Sequence, residues 1–249
     1  MRHGVFSRSG GVSSGCFDSL NFGVSVGDDP EAVGENRRRM LARLEIGQAV
    51  YLNQVHGKTI HVLNEDNCHA PIVADGVVTD MQGVGLVIQV ADCQGVLLYD
   101  PERKVIANVH SGWRGSVQNI IGDCIDVMTG RFHCNPKDIR AGVSPSLGPC
   151  CAEFVNYREE IPEVLWGYKL PGRLLFDFWK LSCDQMVAKG VRQENVEIMN
   201  ICTRCNTDKF YSYRQEKRTG RFGCVISLEG IKGDLAPGPR KNGGDFNQF

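Results

Sequence analysis

Short apolar runs, separated by polar and glycine-rich turns, occupy most of the chain, and their length and spacing predict mainly β-strands. The first residues are predicted as glycine-rich turns rather than as a strand. The predicted strands cover residues 49–55, 58–63, 76–79, 85–90, 96–99, 105–110, 139–143, 196–201, 211–214 and 221–228.

Apolar residues at helical spacing predict three helices, at residues 29–44, 116–128 and 177–188. Pro30 suits the first turn of the first helix, Asp177 is a typical N-cap for the third, and Gly190 follows its end. Strands and helices do not alternate strictly, so the order favours an α+β class with mixed sheets in one domain. We expect that domain to span residues 1–230, followed by a loosely ordered tail at 231–249 that is rich in Gly, Pro and Asn.

Composition narrows the function classes. The chain has 249 residues with 28 basic and 29 acidic side chains, a net charge of −1, so it lacks the basic face of a nucleic-acid binder. No apolar run approaches the roughly 18 residues of a membrane span, and the first residues hold no apolar signal core. These features predict a cytoplasmic protein without nucleic-acid or membrane partners, and the lack of a self-complementary apolar helix favours a monomer.

Cysteine is the unusual component. Eleven cysteines are about 4% of the chain, well below the roughly 8–10% of a disulfide scaffold, so reduced thiols are expected. Cys202 and Cys205 have CxxC spacing but no second CxxC and no downstream His pair, which argues against a structural zinc site. Cys150 and Cys151 are predicted to pack in a turn, near a site and not as a redox pair.

Three reactive side chains stand at the ends of buried-type strands: His56, Cys93 and His110. Two imidazoles and a thiol, with one position left for water, are typical of a catalytic zinc site. The alternative is a buried cysteine with two hydrogen-bonded core histidines, and spacing alone does not decide between them. Asp75 and Asp92 are candidate catalytic carboxylates, although an Asp in a turn is often a cap.

The turn at residues 112–115 leads into a predicted helix, where backbone N–H groups and Arg114 favour an anion such as phosphate. The sequence contains no P-loop, no strand-linked GxGxxG, no HExxH and no GxSxG nucleophile elbow between a strand and a helix. It also lacks the HxE and PCxxC signature of zinc nucleobase deaminases and the HxH pairs of a trinuclear copper cluster.

Five segments together resemble the YfiH-type laccase-domain family, also described as multicopper polyphenol oxidases and later as purine nucleoside phosphorylases. They are HGVFSRSGGVSSGCFDSLNFG, NQVHG, ADCQGVLLYD, VHSGWRG and SPSLGPCCAEF, and the similarity extends over about residues 3 to 228. The sequence departs from the family pattern at Gly95, Ser111 and Ala152, none of which is an expected metal ligand.

The resemblance implies an α/β/β/α layered sandwich, similar to a bacterial cytotoxic deamidase, with zinc bound by His56, Cys93 and His110. It also implies phosphorolysis of adenosine, inosine and methylthioadenosine and hydrolytic deamination of adenosine. Purine nucleosides and phosphate are then the expected partners. The candidate substrate or phosphate contacts are Arg8, Asn21, Gln54 and Arg114.

Other functions use the same residues. In an amide hydrolase acting on peptidoglycan precursors, Cys93 would be the nucleophile and His110 its base. A copper-dependent phenol oxidase is a further alternative, with copper in place of zinc. A non-enzymatic binding module is disfavoured by the three reactive side chains.

Overall fold

Two β-sheets packed face to face occupy the centre of the protein, and helices cover their outer sides. The computed structural model describes residues 1–230, and the predicted tail at 231–249 lies outside them. No helix in the described part of the chain is long and apolar enough to span a bilayer.

Within residues 1–230, eleven strands form the two sheets. They are β1 (Arg2–Val5), β2 (Gln48–Asn53), β3 (Ile60–Val62), β4 (Ile72–Val73), β5 (Gly76–Thr79), β6 (Val84–Val90), β7 (Gln94–Asp100), β8 (Val105–Ser111), β9 (Arg140–Val143), β10 (Val196–Ile198) and β11 (Phe222–Ser227). The first sheet has the order β1-β11-β6-β2-β4 and the second the order β10-β9-β7-β8-β5-β3. Both are mixed, because β2 pairs in parallel with β4 and β6 in the first, and β3 with β5 and β9 with β10 in the second.

Six α-helices and four 3-10 turns accompany the sheets. The α-helices are α1 (Pro30–Leu44), α2 (Trp113–Val117), α3 (Ile120–Phe132), α4 (Tyr157–Glu160), α5 (Phe178–Ala188) and α6 (Tyr213–Glu216). The 3-10 turns are Gly15–Phe17, Pro136–Asp138, Glu163–Tyr168 and Gln193–Asn195.

The apolar core lies in three layers. Between the sheets, Ile88 and Phe222 of the first pack with Leu97 and Ile106 of the second, all at most 7% exposed. Helix α1 covers the outer side of the first sheet through Met40, and α3 and α5 cover the outer side of the second. The predicted α+β class with mixed sheets flanked by helices, in an α/β/β/α order, is therefore confirmed.

One predicted strand is wrong, and two observed strands were not predicted. Residues 211–214 were expected as a strand, yet α6 begins there, because the Ser212 side chain caps it by accepting from the Gln215 amide. Glu216 also accepts from the Ser212 amide and closes the turn. Strand β1 lies at the start of the chain, where turns were predicted, and β4 lies in a segment for which no element was predicted. Both are edge strands whose identity depends on the partner strand.

The predicted helix at 116–128 is divided. Asn119 adopts a left-handed conformation with φ of 61° and accepts from the Gly122 amide, so α2 ends and α3 begins beside it. Asn tolerates this backbone region better than most residues, and its short side chain serves as the cap. The break turns α2 away from α3, so that Trp113 and Arg114 line a cavity described below.

Candidate active site and metal centre

His56, Cys93 and His110 meet at one end of the sandwich. Their ligand atoms all lie within 4.8 Å of one another. Cys93 Sγ lies 4.0 Å from His56 Nε2, and the two imidazole rings meet edge to face with centroids 4.7 Å apart. The three residues that the sequence places at strand ends are therefore neighbours in space.

The three residues lie at or near the ends of three different strands. His56 follows β2 of the first sheet, and His110 lies in β8 of the second, opposite Gly95 of β7. Cys93 lies where the chain leaves β6 in the first sheet and enters β7 in the second. The two sheets thus contribute to one site because the chain crosses between them at this point.

The buried carboxylate of Asp75 holds two of the three residues. One of its oxygens lies 2.7 Å from His110 Nδ1, and the carboxylate accepts from the backbone amides of Val55, His56 and Gly57. These hydrogen bonds from the backbone hold His56 in a left-handed conformation with φ of 59°. A carboxylate on the far nitrogen of a ligating histidine fixes the ring and its tautomer. Asp75 does not line the cavity, so its contacts favour a role in positioning His110 and His56, and its catalytic role stays a prediction.

Gly112 permits the three side chains to approach one another. A Cβ atom at this position would lie 3.1 Å from both Cys93 Sγ and His56 Cδ2. Its φ of −74° is open to any residue, so the requirement for glycine at 112 is steric.

The same packing makes Cys93 acidic. Burial alone would raise its pKa, but the charge on His110 and hydrogen bonds from His110 and His56 outweigh burial and lower the pKa to about 6. Burial opposes the charged form of His110 as well, yet Cys93 and Asp75 raise the His110 pKa to about 9. Burial also disfavours the charge on Asp75, and hydrogen bonds from His110 and Gly57 still keep the pKa of that carboxyl below its usual value.

The three residues face a cavity of about 890 Å³. This volume is within the roughly 300–1,000 Å³ that is usual for small-molecule sites. Aromatic side chains contribute much of the wall and include Tyr51, Trp113, Phe154, Phe178 and Tyr213.

The charge of the cavity is strongly positive. None of its four arginines has a carboxylate partner within residues 1–230. The four are Arg37, Arg114, Arg214 and Arg221. Of these four, only Arg114 was predicted from the sequence, because the other three reach the cavity only when distant segments pack together.

Asp92 is the one carboxylate among the residues that line this cavity, and its oxygens are already used. It accepts from the Thr203 and Ser212 hydroxyls, each at 2.7 Å, and from the Arg214 amide at 2.6 Å. Its own φ of 85° places it in the sharp turn before Cys93. These hydrogen bonds hold the segment 203–214 beside Cys93, and the catalytic role of Asp92 stays a prediction.

Two other predicted contacts lie away from the cavity. Arg8 pairs with Glu216 at 2.9 Å and donates to the carbonyls of Asp18 and Thr207. Its guanidinium therefore links residues near the start of the chain to the segment 207–216. Asn21 is fully buried, and its amide oxygen accepts from the Gly23 and Arg221 amides. Neither residue lines the cavity, and both side chains bond to the protein, so their assignment as substrate or phosphate contacts stays a prediction that the geometry does not support.

Gln54 and Arg114 do line the cavity. The Gln54 side-chain amide donates to the Gln89 carbonyl at 2.8 Å and accepts from the Gln89 backbone amide at 2.9 Å. This pair joins the end of β2 to β6, so its amide groups are already engaged with the protein. Arg114 lies over the Trp113 ring, 4.6 Å from its centroid, and remains a phosphate candidate.

Comparison with known proteins identifies the family. A family model described as multi-copper polyphenol oxidoreductase laccase matches residues 2–229. The chain belongs to this family. It is 35% identical to a purine nucleoside phosphorylase of Pseudomonas aeruginosa, covering 92% of this chain and 94% of that protein. It is 31% identical to the purine nucleoside phosphorylase YlmD of Geobacillus stearothermophilus, covering 90% and 88%.

Solved structures of this laccase-like family share the fold. The crystal structure of YlmD from Geobacillus stearothermophilus matches with a TM-score of 0.83 at 31% identity, over 92% of each chain. A Bacillus licheniformis protein named YfiH matches with a TM-score of 0.84 at 27% identity, over 91% of this chain and 92% of that one. The family and the His/Cys cluster together indicate an enzyme with a metal site.

The three departures from the family motifs lie around this site. Ser111 is buried and bonds the Ser116 hydroxyl at 2.9 Å, while Ala152 forms part of the cavity wall. Gly95 lies against Cys224, and a Cβ at residue 95 would come within 2.5 Å of that sulfur. None of the three displaces His56, Cys93 or His110.

We expect Asp75→Asn to weaken metal binding by about 10- to 100-fold, the usual cost of losing such a partner of a ligating histidine. The amide keeps the size of the side chain but loses the charge that holds His110. Competition with a chromophoric chelator measures the affinity. Asp126→Asn, an exposed change on α3, is the matched control, and equal affinity in both variants would contradict the role of Asp75.

Alkylation of metal-free protein should reveal the acidic thiol. The pKa of Cys93 is lowered, so its thiolate persists above about pH 6 and is lost only below that value. Iodoacetamide labelling of the Cys93 peptide, followed by mass spectrometry, should therefore rise with a midpoint near pH 6. The Cys183 thiol is the internal control, because burial raises its pKa. A Cys93 profile that coincides with that of Cys183 would overturn the assignment.

Proposed function

We propose that this protein is a purine nucleoside phosphorylase that uses a zinc ion held by His56, Cys93 and His110. Its proposed substrates are adenosine, inosine and methylthioadenosine. The observation that carries the proposal is the character of the cavity, which combines four unpaired arginines with five aromatic side chains beside the His/Cys cluster. The names of the relatives support the same reaction.

Phosphorolysis joins an oxygen of phosphate to C1′ of the ribose and breaks the bond from C1′ to the purine. The purine leaves with the bonding electron pair and takes up a proton, and ribose 1-phosphate is the other product. Such a site has to bind an anion and a flat heterocycle together and hold them in line. The chain offers groups of both kinds.

Arginines suit the anion. Arg221 donates to the carbonyls of Thr219 and Gly220 through one nitrogen, which leaves other N–H groups of its fork available. Burial lowers its pKa, and the nearby charges of Cys93 and Asp92 counteract this. Arg214, which donates to the carbonyls of Cys151 and Glu153, extends the same basic wall. Guanidinium groups bind phosphate by paired hydrogen bonds.

Aromatic side chains suit the purine. Trp113 and Phe154 meet edge to face with centroids 5.8 Å apart, and Phe178 lies 5.3 Å from Phe154. A flat base gains from contact with such rings, and the surrounding apolar surface excludes water. The same ring faces accept all three proposed nucleosides.

The donor set fits zinc. One thiol and two imidazoles converge, and the carboxylate of Asp75 holds His110, as in catalytic zinc sites with three protein ligands. When bound, zinc supplies a Lewis acid for phosphorolysis and a coordination position for the water of hydrolytic deamination. The alternative ion is copper, which the family description names.

Deamination of adenosine is the second part of this proposal. Hydrolysis at the purine C6 releases ammonia, which has to receive a proton. Asp92 is the one carboxylate at the cavity wall, and its oxygens accept from Thr203, Ser212 and the Arg214 amide. Phosphorolysis therefore has the stronger support from the described residues.

One observation favours a second function, amide hydrolysis by a Cys93 nucleophile. The Cys93 pKa of about 6 and the neighbouring His110 are typical of a thiol nucleophile with its base. An amide hydrolase of this kind has no need for phosphate or for four arginines. It would also stay active after metal removal.

We expect the zinc-loaded protein to convert adenosine, inosine and methylthioadenosine to free base and ribose phosphate only when phosphate is present. Chromatography of the products, with and without phosphate, measures this, and inosine formed from adenosine reports deamination. His56→Ala should abolish both reactions by removing a ligand, whereas His133→Ala, at an exposed position, should not. Absence of turnover with every nucleoside would refute the proposal.

Arg221→Gln should raise the KM for phosphate by about 10- to 100-fold, corresponding to roughly 1.5–3 kcal/mol for a hydrogen bond to a charged group. The KM for the nucleoside should change little, because the aromatic wall is retained. Arg131→Gln, on the exposed side of α3, is the matched control. A folded Arg221→Gln protein with an unchanged KM for phosphate would exclude Arg221 as the phosphate contact.

A further inference from the structure

Four cysteines that the proposed reaction does not use converge beside the cavity. The sulfur atoms of Cys150, Cys151, Cys202 and Cys205 all lie within 4.8 Å of one another. The sequence separates the two pairs by about fifty residues; packing was expected for Cys150 and Cys151, and the spacing around Cys202 and Cys205 argued against a structural zinc site. Folding instead places one CxxC segment against a pair of adjacent cysteines.

The spacing of the sulfurs suits a tetrahedral metal ion. Cys205 Sγ lies 3.7 Å from Cys150 Sγ and 3.5 Å from Cys151 Sγ. Four sulfurs at about 2.3 Å from a central zinc ion stand roughly 3.8 Å apart, and four thiolates form the closed set of a structural zinc site. We propose that these four cysteines bind a second, structural zinc ion, separate from the one at His56, Cys93 and His110.

Backbone hydrogen bonds prepare this site. The Gly148 amide lies 3.4 Å from Cys202 Sγ, and the Cys205 amide also donates to that sulfur. Amide donors of this kind orient a thiolate ligand and stabilise its charge. Gly148 has no room for a side chain, because a Cβ there would lie 2.7 Å from the Trp179 ring. Cys150 and Cys205 are exposed, so an ion can enter from solvent.

The two loops are already joined by backbone pairing. Ser146 and Cys202 form a parallel bridge, in which the Ser146 amide donates to Ile201 and the Thr203 amide donates to Ser146. A bound ion would add a cross-link between segments distant in the sequence, which stabilises the folded state.

The site also stands behind the wall of the cavity. Ser146, Leu147 and Ala152 line the cavity from the first loop. Thr203, from the second loop, bonds Asp92, the neighbour of Cys93. The proposed ion thus supports the wall of the active site without contacting substrate.

Metal analysis of the full chain, purified with a thiol-free reductant and loaded with zinc, tests the proposal. We expect two zinc ions per chain in the unmodified protein and one in His56→Ala. Cys205→Ser should also retain one, and Cys183→Ser, outside both clusters, should retain two. The double variant His56→Ala, Cys205→Ser should bind none.

Cobalt identifies the ligands independently of activity. In His56→Ala protein, bound cobalt should give the strong thiolate charge-transfer and tetrahedral d–d bands of a four-thiolate site, and Cys150→Ser should weaken them. The midpoint temperature of thermal unfolding of the His56→Ala protein should fall when a strong chelator is added. That shift measures the cross-link even where a cysteine variant fails to fold.

Three results would overturn the proposal. The first is one zinc ion per chain that disappears in His56→Ala and persists in Cys205→Ser. The second is a disulfide among the four cysteines in peptides from freshly purified protein. The third is iron, seen by its colour and by elemental analysis, at these cysteines in place of zinc. Each leaves the nucleoside reaction at His56, Cys93 and His110 untouched, so the two proposals fail separately.

Discussion

The carboxylate of Asp75 is the contact on which the active site depends. It is fully buried, where a charge is costly, and the donors that surround it make the charge tolerable. His110 supplies one of these donors, and the backbone of residues 55–57 supplies the others. Because His56 lies in that segment, one carboxylate fixes two of the three side chains of the cluster.

A second hydrogen-bonded carboxylate, the half-buried Asp92, holds part of the cavity wall. Asp92 collects the Thr203 and Ser212 hydroxyls and the Arg214 amide, and so holds the segment 203–214 beside Cys93. Asn21 acts similarly on Arg221. These buried polar groups stay satisfied only while the segments are in place, so the position of the arginines is linked to that of Cys93. The result is a basic cavity whose single carboxylate, Asp92, is hydrogen-bonded to the protein.

The eleven thiols divide by their surroundings. Cys93 has imidazole neighbours and is acidic, whereas Cys124 and Cys224 are fully buried in apolar surroundings that raise their pKa. Cys150, Cys151, Cys202 and Cys205 form a group of their own at the end of β9 and β10. Cys93 thus lines the cavity, whereas none of the four clustered cysteines does.

The sequence by itself determined most strands, the class of the fold and, through the family motifs, the choice of His56, Cys93 and His110 as candidate ligands. These features depend on local apolar periodicity and on motifs of a few residues, which survive without knowledge of the partner segments. The tertiary structure alone decided that Arg8 and Asn21 lie outside the cavity, that Arg214 and Arg221 line it, and that a helix begins at Tyr213. It also decided the grouping of four cysteines from two loops. Each of these depends on a contact between segments far apart in the chain, such as Asp92 with Ser212. The residue pattern within one segment does not indicate which distant segment it will contact.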